Sequence, residues 1–239
     1  MLILLGGGLS AGRTALNVRA VEEAWPETRS KSMEAAEARF QRDISRAVEQ
    51  ARRLVERAGA FETESRSFAF ESIDRAVGPQ AADHGVVIFD SDGLPWAWGG
   101  ALREPPGPIG PTLTARMVAF YVFLEARRQD ERRTVVSQVI LAADSAVPDR
   151  EPTFAAQFTA RTGVGLVFRN SMPEAGVPTA VFCLNSCVPQ GAMPVDTLLI
   201  AEMIPPSQGS AKLDAAVRGG RWTVMLTALG LVWLVVLGV

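Results

Sequence analysis

Arg116 and Arg169 are the residues of this chain best suited to hold a small anion. Each stands beside an apolar stretch, and a guanidinium offers a planar fork that takes a carboxylate with two hydrogen bonds. Solvent-facing arginine is the plainer reading of both. Trp96 and Trp98 are separated by one residue in Pro95-Trp96-Ala97-Trp98-Gly99-Gly100, so on a strand they share a face. Two such indoles either line a ligand cavity or pack beneath a helix. Tyr121, the only tyrosine, follows Phe120 and precedes Phe123. Its hydroxyl, if buried, needs a partner that a ligand or a backbone carbonyl can supply. These five residues form the candidate ligand-binding set.

Other chemistry finds little support. His84 is the single histidine and has no base or nucleophile at a recognisable spacing. Asp90 and Asp92 belong to Asp-Ser-Asp-Gly, a composition in which aspartate bonds its own backbone in a turn, with too few oxygens for calcium. Gly6-Gly7-Gly8 lacks the preceding strand of a phosphate cradle, and neither a serine elbow nor a dinucleotide fingerprint is present. The two cysteines, Cys183 and Cys187, form a small disulfide loop in an oxidising compartment or stay as thiols in a reducing one. Two thiols and one distant histidine do not make a zinc site. No catalytic residue, metal or cofactor is therefore expected.

Of the 239 residues, 48% are apolar and 21% charged, enough for a globular core. A net charge of -2 gives no sign of a nucleic-acid-binding face. The charges cluster: Glu27 to Arg66 carries both signs densely, whereas Val86 to Arg103 is almost uncharged.

The elements that must position the candidates follow from periodicity. Phe40, Ile44, Val48, Ala51 and Val55 recur every three or four residues and predict one amphipathic helix over Ser32–Ala58. Pro26 reads as a break upstream, Ser30 or Ser32 as the cap, and Gly59 as the stop. A shorter helix is predicted over Phe68–Val77. From Gly85 the pattern turns to strands. Val86–Phe89 and Pro95–Gly100 flank the Asp90–Gly93 turn as a hairpin. Glu104–Pro111 is a loop by composition, and Arg116–Ala126 and Thr134–Ala143 are long strands joined by the charged stretch Arg127–Arg133. A short helix over Thr153–Thr162 precedes strands at Val164–Phe168, Thr179–Leu184 and Thr197–Met203. A connecting helix follows over Ala211–Val217. Hairpins dominate, so the expected class is α+β with an antiparallel sheet under the long helix.

Both ends are apolar. Trp222–Val239 contains no charge and, as a helix, measures roughly 27 Å, enough to span a bilayer, with Arg221 and Trp222 at its interface. Met1–Gly12 is too short to span and reads as the remnant of a first membrane helix or as an exposed apolar leader, the charged helix that follows favouring the first. The expected divisions are an apolar segment 1–18, a helical region 19–80, a sheet domain 81–209, a connecting helix 210–221 and a membrane helix 222–239.

This order, with the strand–turn–strand Val86–Gly100 (VVIFDSDGLPWAWGG), resembles the extracytoplasmic PAS-like or Cache-like sensor region of bacterial two-component histidine kinases. The resemblance covers Ser32–Val239. It implies a PAS-like sheet and a membrane-anchored module that passes a ligand or protein signal to a membrane helix. It further implies an inner-membrane protein with its soluble part in the periplasm. The chain shows no phosphoacceptor histidine in a helical hairpin and no glycine-rich ATP lid, so catalysis would belong to a separate kinase part. Membrane lipid, a homodimer through the long helix and a small-molecule ligand are the expected partners; nucleic acid is not. The other reading is a single-span accessory or structural subunit of a membrane complex, favoured by Lys212, Arg218 and Arg221 before the apolar run.

Overall fold

The computed structural model describes residues 16, 18–19, 22–59, 65–78, 83–144, 152–184, 196–213, 216–217, 225 and 228. Its elements are α1 (Trp25–Gly59), α2 (Arg66–Val77), β1 (His84–Phe89), β2 (Pro95–Gly100), β3 (Leu113–Val118), β4 (Tyr121–Gln129), β5 (Thr134–Ala143), α3 (Phe154–Thr162), β6 (Gly165–Arg169), β7 (Thr179–Cys183) and β8 (Thr197–Ile204). The class is α+β with antiparallel sheets, as expected.

The contacts divide the chain into two compact units. One comprises Met1–Ala35, Thr162–Val164 and Pro205–Val239; the other comprises Ala36–Arg161 and Gly165–Ile204. The long helix α1 contributes residues to both.

Helix α1 has 35 residues and begins at Trp25, ahead of the predicted start at Ser32. Pro26 therefore lies in its first turn, where the missing N–H costs nothing and the fixed φ suits the helix. Ser30 and Ser32 do not cap it. The Ser32 hydroxyl donates to the Thr28 carbonyl at 2.8 Å, and that of Ser30 to the Glu34 carboxylate at 3.1 Å. The predicted stripe holds: Phe40, Ile44, Val48, Ala51 and Val55 are all buried. Each large apolar side chain so buried contributes about 1.5–3 kcal/mol. Because this stripe is covered by the chain's own sheets, a second copy has only the remaining faces of α1 to meet.

Five strands form one sheet in the order β2-β1-β5-β4-β3 and three form another in the order β6-β8-β7. Every strand pair is antiparallel. Two sheets stand where a single one was expected, and a strand prediction is corrected as well. The stretch expected as a single strand, Arg116–Ala126, is a hairpin of β3 and β4 with Val118 opposite Tyr121 and Ala119-Phe120 as its turn. That turn contains none of the Gly, Asn or Asp that usually marks a two-residue hairpin, so composition carried no signal.

Side-chain alternation gives the five-stranded sheet two unlike faces. One bears Val86, Ile88, Ala97, Leu124, Val135, Ser137, Val139 and Leu141, all buried. Helix α1 lies on it. Ser137 donates its hydroxyl to the Ala51 carbonyl at 2.7 Å, and Val135 packs on Gly59 at the helix end. Helix α2 packs on the same face over β2. A β-carbon at Gly99 would lie 2.6 Å from Ile73 Cγ2, so the close approach of α2 depends on that glycine. The N-terminal part of the buried stripe serves the second sheet region. Gln41 Nε2 donates to the Val181 carbonyl at 2.9 Å, and the Phe40 ring meets that of Phe158 on α3 edge-on at 6.3 Å. One helix thus underlies both sheets.

In the first unit, residues 208–213 and 216–217 are helical, in keeping with the predicted connecting helix. The predicted membrane helix Trp222–Val239 lies outside the described residues apart from Met225 and Ala228. So does the apolar segment 1–18, apart from Leu16 and Val18. Among the described residues no helix is long and apolar enough to cross a membrane.

Candidate functional site

The opposite face of the five-stranded sheet carries three of the five candidates, Trp98, Arg116 and Tyr121. Register sets them there: Trp98 lies opposite Val87, Val87 opposite Val136, and Arg116 opposite Phe123. Over this face passes the segment Ala101–Thr112. At its start Leu102 packs on the buried trio Val87, Phe89 and Val136.

Trp98 pairs in register with Val87, whereas Trp96 falls at the irregularity between the Ile88–Ala97 and Phe89–Pro95 pairs, so strict alternation does not carry over to it; each has a cationic neighbour of its own. The Arg133 guanidinium stacks over the Trp96 ring at 3.6 Å. Trp98 is half-exposed and meets Phe70 of α2 edge-on at 5.3 Å, with Arg66 set 6.0 Å from its ring centre. Arg66 Nε also donates to the Trp96 carbonyl at 2.7 Å, which occupies a backbone acceptor on the edge strand β2. Tyr121 stacks on Phe123 at 5.6 Å, and Phe123 in turn lies beneath the Arg116 guanidinium at 5.3 Å.

Arg116 belongs to a network that the sequence did not announce. Its centre is Glu125, 1% exposed in the middle of β4. Glu125 Oε1 accepts from Arg116 Nε at 2.7 Å and from Gln138 Nε2 at 3.2 Å, while Oε2 accepts from Arg127 NH2 at 2.9 Å. A buried carboxylate persists only when it is paired and hydrogen-bonded in this way. Arg127 extends the network into the covering loop by donating to the carbonyls of Gly107 (3.1 Å) and Pro111 (3.3 Å). A β-carbon at Gly110 would lie 2.7 Å from Arg127 NH1, so glycine lets the loop close on that guanidinium. Arg116 meets the other end of the loop through Glu104, with NH1 on the carboxylate at 3.2 Å and NH2 on the carbonyl at 3.1 Å.

Gln138 is fully buried in β5. Its Nε2 also donates to the Glu104 carbonyl at 3.0 Å, while its Oε1 has no protein partner. A buried amide oxygen left so is costly, and a water or a ligand donor would relieve it. The one legible signal for this network was a polar residue interrupting each of two apolar strands: Glu125 in Tyr121–Ala126 and Gln138 in Thr134–Ala143.

Arg169, the fifth candidate, is not part of this face. It ends β6 and pairs with Glu202 of β8 at 2.7 Å, half-exposed. Asp90 behaves as the turn residue expected, with Oδ1 accepting from the backbone N–H of Asp92 at 3.0 Å and of Leu94 at 2.9 Å. Asp130 does the same for Arg132 and Arg133 at 2.9 and 2.7 Å. These two turns and the loop residues Pro108 and Ile109 border an open cleft of about 370 Å³ at one end of the sheet. Among the described residues no group of carboxylates, thiols or imidazoles is arranged to hold a metal ion. Cys183 is disulfide-bonded; Cys187, the other half of the predicted pair, lies outside the described residues.

In the first unit the conspicuous contact is Lys212 with Glu22, an ion pair between residues 190 positions apart. The Lys212 ammonium, bonded to the Glu22 carboxylate, holds the pKa of Glu22 below its ordinary value. The chain matches no protein-family model, no curated protein and no solved structure.

Proposed function

We propose that this chain is a membrane-anchored extracytoplasmic sensor module of PAS-like architecture, which reads a small ligand or a partner protein and passes the result to a membrane helix. The sensing surface is the sheet face bearing Trp98, Arg116 and Tyr121, with the Ala101–Thr112 loop held against Arg116 through Glu104. The observation that carries this reading is the division of labour between the two faces. Helices α1 and α2 occupy one, while a loop held by side-chain hydrogen bonds covers the other, with a buried acceptor on Gln138 still open. Helix α1 has residues in both units. A disulfide at Cys183 suits a periplasmic setting. Signalling in this scheme is a shift between two states that a ligand binds with different affinity.

The competing reading is a single-span accessory subunit with its domain in the cytoplasm. It draws on Lys212, Arg218 and Arg221, since basic flanks favour the inner side. Labelling of Ser207→Cys, an exposed position, with a membrane-impermeant thiol reagent in intact cells separates the two. Modification from outside is the outcome the sensor requires. Protection until lysis would move the domain to the cytoplasm and favour the accessory subunit.

A further inference from the structure

We propose that Glu104 is a tethered occupant of a carboxylate site on Arg116, and that a small free carboxylate binds by displacing it. The inference rests on the sensory reading above and names the ligand class for that face. Within the network the inner contacts are committed. Both oxygens of Glu125 are bonded, Arg127 is spent on Glu125 and on two loop carbonyls, and Arg116 gives its Nε to Glu125. The outer edge of Arg116, NH1 and NH2, meets Glu104.

This outer contact is of the replaceable kind. Glu104 is half-exposed, stands at the start of the Glu104–Pro111 loop, and reaches NH1 through a single carboxylate oxygen at 3.2 Å. Half-exposed, single-oxygen pairs are the weak class of ion pair, whereas a free carboxylate can set both oxygens on the fork. Charge balance favours the exchange. Arg116 and Arg127 match Glu104 and Glu125, so withdrawal of Glu104 leaves one positive charge that a monocarboxylate neutralises.

Size and surroundings define the ligand. The Glu104 side chain is itself a propionate, so the space it vacates fits an acid of about that length. Phe123 beneath Arg116 is fully buried, and the half-buried Tyr121 stacked on it is the ring that offers apolar surface to the carbon end. Withdrawal of the Glu104 carbonyl would leave the Gln138 amide on Glu125 alone, with its Oε1 still lacking a donor. A water or hydroxyl arriving with the ligand can donate to it.

The test is titration of the full chain with propionate, with propionamide as the uncharged control. Propionate binding is expected in the wild type, to be lost in Arg116→Lys, which keeps the charge but not the fork. Glu104→Gln should bind propionate about two- to fivefold more tightly, the fold-change that a half-exposed ion pair represents. Saturating propionate should also speed hydrogen exchange at the Glu104, Gly107 and Ile109 amides of the wild type, a readout that needs no variant. Equal affinity in Glu104→Gln, equal binding of propionamide, or unchanged exchange would each overturn the proposal. Should a neutral or cationic compound raise the melting temperature where propionate does not, the proposal falls and the sensory reading stands. That reading fails separately, on the labelling result at position 207.

Discussion

Glu125 and Gln138 are register partners on adjacent strands, and the amide of one donates to the carboxylate of the other at 3.2 Å inside a fully covered part of the sheet. A charge placed there commits the surrounding residues. Truncation by Glu125→Ala leaves Arg116 and the mostly buried Arg127 with no anion between them. The expected loss is about 3–5 kcal/mol in urea unfolding. Glu125→Gln, which keeps the shape and an acceptor, should lose less. A loss for Glu125→Ala within the range of an ordinary surface change, about 0.5 kcal/mol, would show that the carboxylate carries no structural weight.

The joint between helix and sheet is polar at one point, where Ser137 donates to Ala51. Ser137→Ala removes a donor and leaves a carbonyl that the helix itself can still engage. The change should therefore cost only about 0.5–1.5 kcal/mol. Phe40→Ala, at a site of zero exposure, should cost about 3–5 kcal/mol through the cavity it opens. Thermal denaturation of both variants checks the order; a larger effect at Ser137 would contradict it.

Gly99 and Ile73 should behave as a coupled pair. Gly99→Ala places a methyl 2.6 Å from Ile73 Cγ2 and should destabilise the protein by about 1–3 kcal/mol. Gly99→Ala should cost less in an Ile73→Ala background, which lacks the clashing Cγ2. Additive effects in a double-mutant cycle would mean that α2 moves away instead of clashing.

Glu22 should titrate below its ordinary value near 4.5, because it bonds to the Lys212 ammonium and feels its charge. A depressed carboxyl pKa contributes stability that is present above the unfolded value and disappears as the pH falls through the folded one. The contact between the two segments should therefore weaken on acidification below about pH 4.5. NMR titration of the Glu22 carboxyl should give a lowered midpoint that Lys212→Ala restores, and added salt should do the same in part. An unchanged midpoint in Lys212→Ala would rule out the pair as the cause.

What could be read from the sequence depended on period and punctuation. The stripe on α1 repeats over many turns, and the Asp90–Gly93 turn carries its own hydrogen-bonding side chain, so both were legible. The β3–β4 hairpin was not, because Ala119 and Phe120 turn the chain without a turn residue. The site divided in the same way. Strict alternation puts Trp96 and Trp98 on one face, but the register slips at Trp96, and nothing local tells that Arg116 meets Glu125, nine residues away across the β3–β4 turn. Arg169 stands beside an apolar stretch, but its partner Glu202 lies 33 residues on, beyond the reach of any local pattern.

The service of α1 to two sheets also sets an order of events during synthesis. Its buried stripe is made first, but Ser137 lies 86 residues beyond Ala51, and Val181 lies 140 beyond Gln41. Contacts of such sequence separation close slowly and leave apolar surface uncovered in the meantime. While the ribosome is still short of β8, the Phe40 end of the helix lacks a completed sheet, even if the Ala51 end is already docked. A nascent chain stalled there is a natural client for a holding chaperone.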